Sequence, residues 1–96
     1  MADSSVTSVS RTYTIQNRLG MHLRPASQLV QIFSQFPDAE VHVGANGTKV
    51  NGKSIMGLLM LEASQGTELS VEVTGPGGEE ILQRVGEAID NRFNED

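Results

Sequence analysis

Within the string Gly20-Met21-His22-Leu23-Arg24-Pro25-Ala26, the proline restricts the fold most. A helix accepts proline only in its first turn, where the missing N–H would have had no intrahelical partner anyway. A helix must therefore open beside His22, directly after a glycine turn. Behind it, Ala26, Leu29, Val30, Phe33 and Phe36 recur at spacings of three and four, leaving Gln28, Gln31 and Gln35 largely outside. Pro37 ends the pattern, so the spacing predicts a helix from about Leu23 to Phe36.

That placement has a chemical consequence. An imidazole at a helix N-terminus lies beside backbone N–H groups without partners and beside the positive end of the helix dipole. The dipole disfavours imidazolium and so favours the neutral ring, which is the nucleophilic form. The same N–H groups would welcome a phosphoryl group bound to the ring. The Arg24 guanidinium supplies a fork that fits phosphoryl oxygens. Phosphoryl transfer passes through a loose transition state, so position and charge supply most of the catalysis. The plainer alternative leaves His22 as a helix cap and Arg24 as a solvated side chain.

The remaining elements alternate in type. Arg11 to Ile15 reads as a strand, and the serine-rich residues 1–10 before it read as a loose tail. Ala39 to Gly44 is a strand with Val41 and Val43 on one face and His42 on the other, where it is read as solvated. Asn46-Gly47 is a two-residue hairpin signal that returns the chain through Thr48-Lys49-Val50. A short helix is expected from Ser54 to about Glu62, closed by Gly66. Glu68 to Val73 alternates as a strand. After Gly75-Pro76-Gly77-Gly78, a last helix carries Ile81, Leu82, Val85, Ala88, Ile89 and Phe93 on one stripe, with Glu79 and Glu80 at its positive end. The order is β-α-β-β-α-β-α. It predicts a single α+β domain over residues 11–96, with helices on one face of a mainly antiparallel sheet.

Composition removes several classes of function. The 96 residues include no cysteine, which excludes disulfides and thiolate metal sites. Seven basic against twelve acidic side chains give a formal charge of −5, which argues against nucleic acid as a partner. No apolar run approaches the ~20 residues of a membrane span, and the first residues lack the pattern of a secretory leader. The expected location is the cytoplasm. No metal or cofactor is called for.

A second stretch invites a wrong conclusion. Gly47-Thr48-Lys49-Val50-Asn51-Gly52-Lys53-Ser54 fits the Walker A pattern letter for letter. A P-loop lies between a buried parallel strand and a long helix, whereas Thr48-Lys49-Val50 reads as a hairpin strand. Nucleotide hydrolysis is therefore not expected. Ser54 suits the N-cap of the short helix, where its hydroxyl can accept an orphan N–H. In that helix, Ile55, Met56, Leu58, Leu59, Met60 and Leu61 are apolar nearly all the way round. Leu58 and Leu61 are the expected core members. Ile55, Met56 and Leu59 are left partly exposed, as a patch for partners, the alternative being that the core swallows the whole helix.

Gly-Met-His-Leu-Arg-Pro-Ala resembles the active-site signature of HPr, the histidine phosphocarrier family of the bacterial phosphotransferase system. Asn51-Gly52-Lys53-Ser54-Ile55-Met56-Gly57 resembles the regulatory serine segment of that family, and the likeness runs from about Thr12 to Phe93. The resemblance implies an open-faced sandwich with strand order 1-4-2-3. It implies that His22 carries the phosphoryl group on Nδ1 and that Arg24 steadies it. Enzyme I, charged from phosphoenolpyruvate, would be the donor, and an enzyme IIA domain the acceptor. Ser54 would be open to an HPr kinase/phosphorylase. Partners would dock on Met21, Leu23, Ile55, Met56 and Leu59, and the carrier would act as a monomer. Leu23 stands where the family usually has a small residue, so its bulk is expected to reshape docking.

Two branches of the family compete. Asn17 to His22 and Val73-Thr74-Gly75-Pro76 look more like the nitrogen-type regulatory carriers, which do not transport sugar directly. Ser54-Ile55-Met56-Gly57 looks more like carriers of sugar uptake in bacteria that possess the serine kinase. A third reading is a binding module that acts only through Ser54. Such a module would need neither His22 nor Arg24.

Overall fold

The computed structural model of the chain describes residues 7–95. Its elements are β1 (Ser8–Thr14), α1 (Leu23–Ser34), β2 (Glu40–Ala45), β3 (Thr48–Asn51), α2 (Ile55–Met60), β4 (Glu68–Thr74) and α3 (Gly78–Asp90). The strands form one antiparallel sheet in the order β1-β4-β2-β3. The α+β sandwich and its strand order are those expected.

Period-two alternation sorts the sheet's faces. β4 buries Leu69, Val71 and Val73, and β2 buries Val41, Val43 and Ala45. His42 points to the other face, opposite Glu72 in the register of β2 and β4. The helices close over the apolar face. α1 contributes Ala26, Leu29 and Phe33, α2 contributes Leu58, and α3 contributes Ile81, Leu82, Val85 and Ile89, all in one cluster. The Tyr13 hydroxyl donates to the Leu82 carbonyl at 2.6 Å and so ties the edge strand to α3. Asn46 and Gly47 both take positive φ, 53° and 80°, as the tight turn from β2 to β3 requires.

The structure corrects three boundaries. Ser8 to Ser10, read as part of the tail, extend β1 by pairing with Thr74 to Glu72 of β4. A neighbouring strand supplied what their own pattern lacked; residues 1–6 of that tail lie outside the described residues. The short helix, expected to about Glu62 and closed by Gly66, ends at Met60, and Glu62 already takes a left-handed turn at φ 54°. Finally, α3 stops at Asp90, and Arg92, Phe93 and Asn94 form a left-handed turn with φ of 54°, 52° and 61°. Phe93 still reaches the core, fully buried. Gln28, expected outside, is half-buried and donates to the Phe93 carbonyl at 3.0 Å.

Candidate functional site

The loop before α1 is pinned to the segment after α2. Met21 N donates to Ala63 O at 2.8 Å. Gly20 takes φ 71°, and a Cβ there would lie 2.6 Å from Ala63 O and 2.8 Å from Ser64 Cα. Only glycine allows this approach, so the chain enters α1 at a fixed angle.

His22 is the N-cap of α1, in extended conformation, with φ −122° and ψ −168°. No side chain caps the helix and no acidic residue occupies its first turn. The first-turn N–H groups of Leu23 and Arg24 therefore remain open to an anion at the helix's positive end, while Pro25 has no N–H to offer. Arg24 is exposed and has no partner among the described residues, so its guanidinium can turn toward a group on the ring.

The far side of the ring is closed by a residue that sequence reasoning missed. Glu95 Oε2 lies 2.7 Å from His22 Nε2, and the Glu95 side chain is only 10% exposed. The contact does not have hydrogen-bond geometry, and it is an ion pair only when the ring is protonated. Its other oxygen, Oε1, accepts from Asn17 Nδ2 at 2.9 Å, and the same amide donates to Gly20 O at 2.8 Å. Asn17 is fully buried. Two acceptors facing one amide nitrogen fix which way the Asn17 side chain points. No pattern in the sequence links Glu95 with His22; the left-handed turn and the Phe93 anchor bring them together.

Of the residues expected on a partner surface, Met21 is buried, only 7% exposed, among core residues. Leu23 and Met56 are well exposed, at 61% and 68%, while Ile55 and Leu59 are half-buried. Leu19 and Met60, which were not expected there, are equally open at 66% and 69%. Met56 and Met60 stand one turn apart on α2, which packs against α1. Leu58 and Leu61 are core residues as expected.

Gly52-Lys53-Ser54 turns out to be structural at each position. A Cβ on Gly52 would lie 2.7 Å from Val41 Cγ1, within the core. Lys53 Nζ donates to the carbonyls of Phe36 and Ala39, at 2.9 and 2.7 Å, and holds the connection from α1 to β2. Its ammonium is therefore not available to a nucleotide. Ser54 caps α2, its Oγ accepting from Gly57 N at 3.0 Å. Lys53→Met should leave two carbonyls without their donor and cost about 1–2 kcal/mol. At roughly 4–8 °C per kcal/mol, calorimetry should show a clearly lower melting temperature. An unchanged melting point would mean that the two hydrogen bonds add nothing.

Comparison with known proteins follows the same residues. The family model described as "PTS HPr component phosphorylation site" matches residues 9–91. The phosphocarrier protein HPr of Xylella fastidiosa (strain Temecula1) is 42% identical over 83 residues, covering 86% of this chain and 92% of its own. The phosphocarrier protein NPr of Escherichia coli (strain K12) is also 42% identical, over 89 residues, covering 92% and 98%. Among solved structures, HPr-C-His from Thermoanaerobacter tengcongensis superposes with a TM-score of 0.85 at 35% identity, covering 92% of this chain and 98% of that one. The histidine at the open end of α1, the 1-4-2-3 sheet and these relatives agree: the chain belongs to the HPr family of phosphocarriers of the phosphotransferase system.

Proposed function

We propose that the chain is a stoichiometric phosphoryl carrier in the cytoplasm. It takes a phosphoryl group from enzyme I on Nδ1 of His22 and passes it to an enzyme IIA domain. The observation that carries this reading is the N-terminus of α1, free of any side-chain cap, with His22 at its N-cap position and exposed Arg24 beside it. In the forward step the Nδ1 lone pair attacks phosphorus on the charged donor. The bond from phosphorus to the donor breaks, and its electron pair returns to the donor atom. The open N–H groups and Arg24 offset the charge on the moving group. Handover to the acceptor reverses these roles. The chain turns over no small molecule of its own and needs no cofactor for this chemistry.

Intact-mass analysis after incubation with enzyme I and phosphoenolpyruvate tests the reading. One acid-labile phosphoryl group per chain is expected, and it should leave when an enzyme IIA domain is added. Acceptors from the sugar and nitrogen branches, added one at a time, should show which branch the chain serves. A folded sample that takes no label from several sources of enzyme I would sink the proposal.

Ser54 is the proposed point of control. It is half-exposed, next to exposed Met56 on the helix packed against α1. A phosphate there would add ~1.5–2 negative charges beside the apolar patch that is to receive the donor. Ser54→Asp is expected to slow phosphorylation of His22 roughly tenfold, since misplaced charge at an interface disfavours docking. Stopped-flow or quenched labelling would read the rate, and an unchanged rate would remove Ser54 from this role.

A further inference from the structure

We infer that Glu95, held by Asn17, is a positioning residue that sets which nitrogen of His22 carries the proton. The inference rests on the carrier reading only for its consequence, the choice of nucleophile. Its structural basis is independent of that reading.

Three observations combine. Nε2 of His22 has no accessible surface, although the side chain as a whole is 36% exposed. Water therefore cannot serve as its partner. The polar atom beside it is a carboxylate oxygen at 2.7 Å, an acceptor without a proton to offer. Even off the hydrogen-bond axis, a negative oxygen at that distance repels the nitrogen lone pair and attracts an N–H, so Nε2 bears the hydrogen and Nδ1 keeps the lone pair. The carboxylate itself is not free to swing away. Asn17 Nδ2 holds Oε1, and the amide is anchored in turn on Gly20 O. Behind it, the left-handed turn over Arg92, Phe93 and Asn94 is locked by buried Phe93 and by Gln28 donating to its carbonyl. Left-handed φ in residues other than glycine carries a cost that persists only where surrounding packing enforces it.

The arrangement also matches the course of the transfer. When Nδ1 bonds to phosphorus, the ring becomes cationic with its hydrogen still on Nε2. The Glu95 carboxylate already lies against that positive charge, so no proton has to move in either direction. A carboxylate that fixes a histidine tautomer and then stabilises the charged ring is a known way to orient a reacting imidazole.

The test compares two replacements that a merely packing role would rank the other way. In Glu95→Gln, the amide oxygen must face Asn17 Nδ2, which turns the new NH2 group toward Nε2. That donor needs a lone pair opposite it, so the hydrogen moves to Nδ1 and the nucleophile is blocked. Turning the amide back would sacrifice the Asn17 hydrogen bond, so the blocked form should dominate by about tenfold. Glu95→Ala offers neither donor nor acceptor and only releases the ring. The 15N spectrum of the neutral ring should show Nε2 protonated in the parent, the reverse in Glu95→Gln, and a mixture in Glu95→Ala. Phosphorylation by enzyme I should be fastest in the parent, slower in Glu95→Ala and slowest, by roughly tenfold against the parent, in Glu95→Gln. A parent-like tautomer and rate in Glu95→Gln, or a lower rate in Glu95→Ala than in Glu95→Gln, would overturn the inference. If the ring spectra invert as described but the parent takes no label, the tautomer device stands and the carrier reading falls.

Discussion

Replacing His22 with alanine should abolish phosphoryl labelling while leaving the fold almost untouched. The parent should gain one acid-labile phosphoryl group from enzyme I and phosphoenolpyruvate, and the variant none. No other residue at the end of α1 can take over. Arg24 has no lone pair to offer at any working pH. Pro25 has no nucleophilic group, and the Glu95 carboxylate is engaged by Asn17. The second histidine, His42, points away from the helices on the other face of the sheet, opposite Glu72. His42→Ala should therefore label like the parent, which makes it the control.

The fold survives because the His22 side chain does not cap α1, so the helix start loses nothing when it is cut back. When the ring is cut away, the Glu95 carboxylate keeps its hydrogen bond from Asn17 and so is not left without a partner. A melting temperature within a few degrees of the parent, together with complete loss of label, would separate chemistry from folding. Label persisting on His22→Ala would move the site elsewhere and remove the carrier role from this loop.

What could be read in the sequence, and what could not, follows from the range of the interaction concerned. Pro25, Asn46-Gly47 and Ser54 impose local geometry, and helix start, hairpin and cap all lie where those residues place them. His22 and Arg24 come to the open end of one helix because they stand only two positions apart in the chain. Other features depend on distant partners. Ser8 to Ser10 show no alternation worth trusting, yet β4 recruits them as strand. The structural role of Lys53 could not be read beside its letter-for-letter Walker A match, because its carbonyl partners, Phe36 and Ala39, belong to an earlier turn. Met21 borders His22 in sequence but faces inward, because its backbone is bonded to Ala63. Glu95 was the least legible of all. It lies at the acidic end of the chain, and its charge is aimed by a backbone turn that ordinary propensities disfavour.

The stability of the loop itself should prove most sensitive at Gly20. Gly20 and Gly47 both hold positive φ, 71° and 80°, so alanine at either pays for left-handed backbone, about 1 kcal/mol. Their surroundings differ. A Cβ on Gly47 would meet nothing within 4 Å, whereas one on Gly20 would lie 2.6 Å from Ala63 O and 2.8 Å from Ser64 Cα. Both of those are backbone atoms, which cannot rotate aside as a side chain would. Relief requires the loop to lift away from residues 63 and 64, which strains the Met21 N to Ala63 O bond and the Asn17 amide's contact with Gly20 O. Forced backbone shifts of this kind cost roughly 1–3 kcal/mol beyond the conformational term. Gly20→Ala should thus lose about 3 kcal/mol and Gly47→Ala about 1 kcal/mol in urea unfolding. Function should divide the pair further. Gly47→Ala leaves the entry to α1 alone and should accept phosphoryl groups at the parent rate. Gly20→Ala moves His22 relative to Glu95 and the helix end, and should label at least severalfold more slowly even where it remains folded. Equal losses in the two variants would mean that the approach of Gly20 to residues 63 and 64 does not hold the histidine loop in place.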